Sequence, residues 1–192
     1  MGMRIPIVLL TLACFATSVE AMAQPKPSDQ KRGAFAVPTE QHVKAELVTE
    51  HASIQPNGST RVGVLFELEN GWHIYAKDPG DAGLPTTVVW KAPSAVSFGP
   101  LAWPPAKQFL DPGDIKTFGY SSSVLLSGRI TYEPLLNPNN AYEDLPIRAH
   151  VEWLACKEIC VPGFADLQLM LPVSTNPPAR SALATLFEPV HD

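Results

Sequence analysis

V151-E-W-L-A-C-K-E-I-C-V-P-G-F-A-D-L-Q-L-M-L171 decides the fold. With the preceding P146-I-R-A-H150, its first arm puts Ile147, Ala149, Val151 and Trp153 on one face, the period-two signature of a half-buried strand. The second arm, A165-D-L-Q-L-M-L171, alternates as cleanly and is expected to pair antiparallel with the first. Cys156 and Cys160 then sit at the tip of a β-hairpin. A pair this close staples little of a fold. Closing a five-residue ring stabilises by about 2 kcal/mol, against roughly 4–5 kcal/mol for a ring of 100 residues. Short, strained or exposed disulfides are the labile and catalytic ones. A local staple in an exported domain is the other reading, and spacing alone leaves both open.

Working outward, H42-V-K-A-E-L-V-T49 reads as a strand and P56-N-G-S59 as a turn. T60-R-V-G-V-L-F-E-L-E69 alternates again, with Val62, Val64, Phe66 and Leu68 on one face. Asn70-Gly71 before W72-H-I-Y-A76 is a hairpin signal. D78-P-G-D-A-G-L-P85 reads as a turn-rich loop and T86-T-V-V-W90 as a short strand. Residues 93–114 are punctuated by proline and glycine and read as loop with one short strand. Phe118 and Tyr120 fall in a glycine-rich loop, and V124-L-L-S-G-R-I130 reads as a strand. T175-N-P-P-A-R-S-A-L-A-T-L-F187 carries a capping residue, early prolines and then helix formers, so a short C-terminal helix is expected. Twenty prolines in 192 residues is about twice the usual share of roughly 5%, and proline favours turns and strand edges over helix interiors. The expected fold class is all-β: an immunoglobulin-like antiparallel β-sandwich with a short C-terminal helix.

Residues 1–23 have the form of a secretory signal: Arg4, then the short apolar run I5–A16, then A21-M-A23 as a cleavage site. The run is too short to span a bilayer, and T11-L-A13 before Cys14 fits a lipobox poorly. No later segment is apolar enough for a membrane helix. Cleavage after Ala23 would leave a periplasmic chain with Cys156 and Cys160 as its only cysteines, in a compartment where disulfides persist. The expected layout is a signal peptide over 1–23, a flexible leader over 24–40, the sandwich over 41–174 and a helical tail over 175–192. The net charge of −5 argues against nucleic acid and anionic membrane surfaces as partners.

Five blocks in order carry a resemblance: N70-G-W-H-I-Y75, P79-G-D-A-G-L-P85, W103-P-P105, F118-G-Y120 and W153-L-A-C-K-E-I-C-V-P-G163. The chain resembles the N-terminal periplasmic domain of DsbD-type thiol:disulfide interchange proteins, including the ScsB group, over roughly residues 40–173. The resemblance implies an immunoglobulin-like sandwich with one redox pair and no cofactor. That pair takes two electrons from a thioredoxin-like donor and hands them to oxidised periplasmic disulfide isomerases or thioredoxin-like proteins of cytochrome c maturation. Carried over, Cys156 and Cys160 are the redox pair. Full-length members continue into a membrane domain and a thioredoxin-like domain. This chain stops at Asp192, so its donor is expected to be a separate membrane protein or domain. The resemblance also implies an aromatic cap over the disulfide, brought near it by D111-P-G-D-I-K-T-F-G-Y120, with Phe118, Gly119 and Tyr120 as the shielding residues.

Around the pair, Lys157 favours a thiolate and Glu158 opposes it. Trp72, His73 and Tyr75 line the neighbouring face or pack in the core. Trp153 shares a face with Val151 and Ala149 and is expected in the core. His150 lies about 20 Å along a regular strand from Cys156, too far to serve as its base. Two other function classes stay open. One is a copper-handling protein using C-x-x-x-C, for which no further ligand stands at metal spacing. The other is a binding or scaffold sandwich with a structural disulfide.

Overall fold

The computed structural model describes residues 42–111, 113–134 and 142–188. The chain divides after Gly33 into two units, and the fold below belongs to the second. The expected signal peptide and leader lie outside the described residues.

Two antiparallel sheets form the sandwich. One has the order β1 (Val43–Thr49), β2 (Gly58–Leu68), β8 (Ser123–Tyr132) and β5 (Val96–Phe98). The other runs β10 (Cys160–Pro172), β9 (Asp144–Cys156), β3 (His73–Gly80), β7 (Ile115–Ser121) and β6 (Lys107–Asp111). In it β4 (Thr87–Lys91) also pairs with β9, at residues 148–152, while β3 meets β9 only at 155–156.

Alternation explains which side chains meet between the sheets. Val62, Val64 and Phe66 of β2 are fully buried. They face Leu145, Ile147, Ala149, Val151, Trp153 and Ala155, the buried set of β9. Phe66 and Trp153 meet edge to face, centroids 5.7 Å apart, the arrangement aromatic quadrupoles prefer. Two apolar clusters result. One surrounds Phe66, Ile74 and Trp153; the other surrounds Ile54, Ile130, Tyr132 and Ile147.

The structure departs from the sequence reading at several points. Asn70-Gly71 is a turn but not a hairpin. Both edges of β2 are occupied, by β1 and β8, so the chain crosses to the other sheet and β3 pairs with β7 and β9. β3 runs on to Gly80, into the stretch expected as loop, with an irregular register between Tyr75 and Gly80. Residues 93–114 hold two short strands, β5 and β6. The glycine-rich stretch holding Phe118 and Tyr120 is strand β7, not loop. Gly119 makes this possible: a Cβ there would stand 2.1 Å from the Ile74 carbonyl oxygen, so only glycine lets β7 approach β3 so closely.

The expected C-terminal helix is a single 3₁₀ turn, Ala184–Phe187. Upstream of it, Arg180 bridges His51 in extended form. The Arg61 guanidinium bonds Glu50 through two nitrogens, each at 2.8 Å, and donates a third bond to the Phe187 carbonyl. The tail is thereby tied to β2.

Candidate functional site

The β9–β10 hairpin turns at Lys157-Glu158-Ile159, with Cys156 and Cys160 as the first register pair below the turn. The two sulfurs are bonded. Their surroundings differ sharply: Cys156 is 1% exposed, whereas Cys160 is open to solvent. Ala155 points into the core, so Cys156 points to the opposite, outer face of the sheet. Its cross-strand partner there is His73 on β3.

The outer face of a sandwich sheet is ordinarily wet, but here it is covered. His73 is 5% exposed, Tyr75 2% and Thr117 0%. The cover comes from the P79-G-D-A-G-L-P85 segment. Gly83 has φ +99°, and a Cβ on it would lie 2.6 Å from the Tyr75 ring, so the glycine lies flat against the phenol. Thr86 donates to the Tyr75 carbonyl at 2.8 Å, and Asp81 is tied to Lys116 through its backbone and side chain. On the other flank Phe109 stacks on His73, centroids 4.3 Å apart.

Under this cover lies a polar chain. The Tyr75 hydroxyl is 3.2 Å from Cys156 Sγ and 3.3 Å from Asp111 Oδ2, and 3.9 Å from Cys160 Sγ. Thr117 donates to the same Asp111 oxygen at 2.9 Å. His73 Nε2 stands 3.6 Å from Asp111 Oδ1 and makes no hydrogen bond. Burial, with Asp111 adding to it, pushes the Tyr75 hydroxyl up to about 12, so it keeps its proton and serves as a donor. Burial pushes the His73 imidazole below its ordinary value, and Asp111 acts in the opposite direction.

An open cavity of about 260 Å3 gives access to the disulfide. Tyr75, Asp111 and both cysteines line it, with Gly83 and Ile115 from the covering segments and Lys157 and Glu158 from the turn. The arrangement offers one reachable sulfur and holds the other beside a hydroxyl donor.

Tyr75, Lys157, Glu158, Cys156 and Cys160 line one cavity. Trp72 does not join them: it is a core residue, stacked on His42 at 3.7 Å. Neither Phe118 nor Tyr120 lines the cavity. Tyr120 belongs to the core cluster and donates to the Pro104 carbonyl at 2.8 Å. Phe118, 37% exposed, lies against Gly80. Gly119 serves the strand approach already described. The 111–120 segment does reach the disulfide, but through Asp111 and Ile115 at its other end. His150 is a surface residue bonded to Asp166 at 2.8 Å. Among the described residues no three His, Cys, Asp or Glu side chains are grouped to hold a metal. The sequence reading missed Asp111 and Thr117 as site residues. β6 and β7 that present them show no apolar alternation to reveal which face each side chain takes.

The family described as thiol:disulfide interchange protein DsbD, N-terminal, has a model that matches residues 39–172. Among solved structures, the N-terminal periplasmic domain of ScsB from Proteus mirabilis is similar at 18% identity with a TM-score of 0.53, over 79% of this chain and 53% of that one. The chain thus spans about half the length of that structure, and at this identity the likeness concerns the fold. The Neisseria meningitidis DsbD n-terminal domain in its reduced form matches at 15% identity with a TM-score of 0.39, over 76% of this chain and 94% of that one. No curated protein matches the chain.

Proposed function

The chain belongs to the family of DsbD N-terminal domains, and we propose that it works as a periplasmic protein-disulfide reductase, passing reducing equivalents from a thioredoxin-like donor to oxidised proteins through Cys156 and Cys160. The acceptors in this reading are disulfide isomerases or thioredoxin-like proteins of cytochrome c maturation. The donor lies on a separate protein or domain. No helix among the described residues is long and apolar enough to cross a membrane.

The unequal exposure of the two cysteines carries the reading. Exchange needs a thiolate to approach a disulfide sulfur in line and with access. Only Cys160 offers that access, so the donor's thiolate attacks Cys160 Sγ. A bond forms between the donor sulfur and Cys160, the Cys156–Cys160 bond breaks, and the electron pair leaves on Cys156 Sγ. The leaving sulfur is then beside the Tyr75 hydroxyl, and a hydrogen bond to the charged form favours that form. The donor's second thiolate cleaves the mixed disulfide and releases Cys160. The donor dithiol is oxidised to a disulfide, and this domain gains two electrons. The acceptor step is the reverse attack, from Cys160.

Trapping tests this assignment. The Cys156→Ser variant keeps the reachable thiol without its resolving partner and should accumulate mixed disulfides with proteins whose own disulfide Cys160 attacks. The Cys160→Ser variant, whose remaining thiol is buried, should accumulate few. Equal trapping by both variants, or none by either, sinks the proposal.

A further inference from the structure

We propose that His73 takes up a proton when the Cys156–Cys160 disulfide opens, so that the charge on the departing Cys156 sulfur is balanced through Tyr75 and Asp111 rather than by protonating the sulfur. This rests on the exchange reading above.

The geometry leads there by counting hydrogens. The Tyr75 hydroxyl has one proton and two acceptors in reach, Cys156 Sγ at 3.2 Å and Asp111 Oδ2 at 3.3 Å. While the disulfide is closed, the ionised oxygen is the better acceptor. Once Cys156 carries the electron pair, the thiolate competes for the same proton. If Tyr75 turns to it, Asp111 keeps only the Thr117 hydroxyl as a donor. Two anions then stand on either side of one phenol under the same cover, and like charges in a desolvated site disfavour each other.

A proton arriving at the nearest base removes the conflict. His73 Nε2 is buried, makes no hydrogen bond and stands 3.6 Å from the other oxygen of Asp111. An imidazole is a stronger base than a carboxylate by about 2 pH units. Protonated, Nε2–H becomes the second donor to Asp111 and frees Tyr75 for sulfur. His73 is also the cross-strand partner of Cys156, so the imidazolium lies next to the new charge. The groups facing the ring come from three strands: Tyr75 on its own strand, Asp111 and stacked Phe109 on β6, and Cys156 on β9. Lys107 has the same strand parity as Phe109 and Asp111 but is exposed. Burial disfavours the charged imidazole in the closed form, against the pull of Asp111, which leaves it room to gain a proton on opening.

The balance is complete with the donor dithiol. Each donor thiol gives up its proton to solvent before it attacks, and the first sulfur bonds to Cys160. The electron pair ends on Cys156 Sγ. One proton from solvent enters at Asp111, which lines the cavity, and ends on the His73 imidazole, whose charged form carries a proton on both nitrogens. Cys160, released by the second attack, takes its proton from solvent. His73 is thus a positioning residue: it acts on sulfur through Asp111 and Tyr75.

The test uses the full chain, closed or held open by excess dithiothreitol. The imidazole C–H resonances are titrated by NMR, with the His73 signal assigned from a His73→Gln spectrum. His73 should titrate about one pH unit or more higher in the open protein. In Cys156→Ser, which cannot form the thiolate, His73 should titrate at lower pH than in the open wild type. The ultraviolet absorbance of the Cys156 thiolate should persist at neutral pH in wild type and shift to higher pH in His73→Gln. Opening by dithiothreitol should then slow, because a leaving sulfur of higher pKa leaves more slowly. A His73 midpoint that is the same in both states, while exchange proceeds normally, overturns this inference and leaves the exchange reading standing. A disulfide that no dithiol opens overturns both.

Discussion

At the end of the molecule where the disulfide lies, the six-stranded sheet is covered on both faces, by different chemistry. Inward, Ile74, Tyr120, Trp153 and Ala155 meet Phe66 and Val64 in an apolar layer. Outward, His73, Tyr75 and Thr117 are almost as inaccessible, yet they bury a ring nitrogen, a phenol and a hydroxyl around Asp111. The inner layer gains stability in proportion to the apolar surface it hides. The outer layer gains far less, because each buried polar group costs free energy unless it is bonded, and His73 Nε2 is left without a bond. Burial on the inner face makes a fold; burial on the outer face gathers polar groups beside one sulfur. The two should therefore separate under mutation.

The sharpest separation should come from Phe66→Ala. Removing a fully buried phenyl costs about 3–5 kcal/mol, visible as a large fall in the denaturation midpoint, while the fraction that remains folded should exchange with dithiols at the wild-type rate. A changed exchange rate in the folded fraction would break the contrast.

Next is the double variant Cys156→Ser, Cys160→Ser. It should abolish exchange, but its five-residue ring is worth only about 2 kcal/mol of stability. Thermal unfolding should show a folded protein with a modestly lower midpoint. Complete loss of folding would favour a structural disulfide.

Tyr75→Phe removes one hydroxyl from the outer layer. A hydrogen bond to a charged group is worth about 1.5–3 kcal/mol, so reduction by dithiothreitol should slow by roughly tenfold or more while the unfolding midpoint moves little. An unaltered rate would show that the phenol does not assist the departing sulfur.

The smallest effect is the pH dependence of stability. The folded His73 pKa is depressed below its unfolded value, so as pH falls the unfolded chain takes up the proton first. Stability from this group is present above about pH 6.5 and is lost as pH falls below it. His150, held above its ordinary value by Asp166 and then Glu152, acts with the opposite sign, but its pairs are exposed and worth little. The melting temperature of His73→Gln should fall less between about pH 7 and about pH 5 than that of wild type. Identical slopes would place the acid sensitivity elsewhere.

The inner layer was legible in the sequence and much of the outer layer was not. Val62, Val64 and Phe66, and Ile147 to Trp153, announce their shared faces by alternation, because apolar burial leaves a period in the chain. The place of Cys156 and Cys160 at a hairpin tip was legible from the flanking arms, while spacing alone left open whether the pair is structural or redox-active. Asp111 and Thr117 leave no period: they lie on β6 and β7, and only tertiary pairing brings them to His73, which the sequence left open between the neighbouring face and the core. Phe118 and Tyr120 misled for a related reason. An F-G-Y triplet between turns looks like a loop, but Gly119 lets the strand close on Ile74 and turns Tyr120 inward. Asn70-Gly71 signals a turn correctly but carries no information on which sheet receives the next strand.

Cys156 is paired on both sides, to Cys160 on β10 and to His73 on β3, whereas Cys160 opens the edge strand and is paired on one side only. In mechanical terms the site is a clamp with one fixed jaw and one free jaw. When the bond between them is cut, Cys156 stays where the sheet holds it, and the separation of the two sulfurs is set by the swing of Cys160 alone. The local concentration of one thiol at the other is then a property of the hairpin tip. A stiff tip would return Cys160 to its partner and eject a bound protein quickly; a loose one would let mixed disulfides linger. The tip is Lys157, Glu158 and Ile159, whose turn is closed by the Lys157 amide on the Ile159 carbonyl at 3.1 Å, so the lifetime of a covalent complex should follow the stiffness of those three residues.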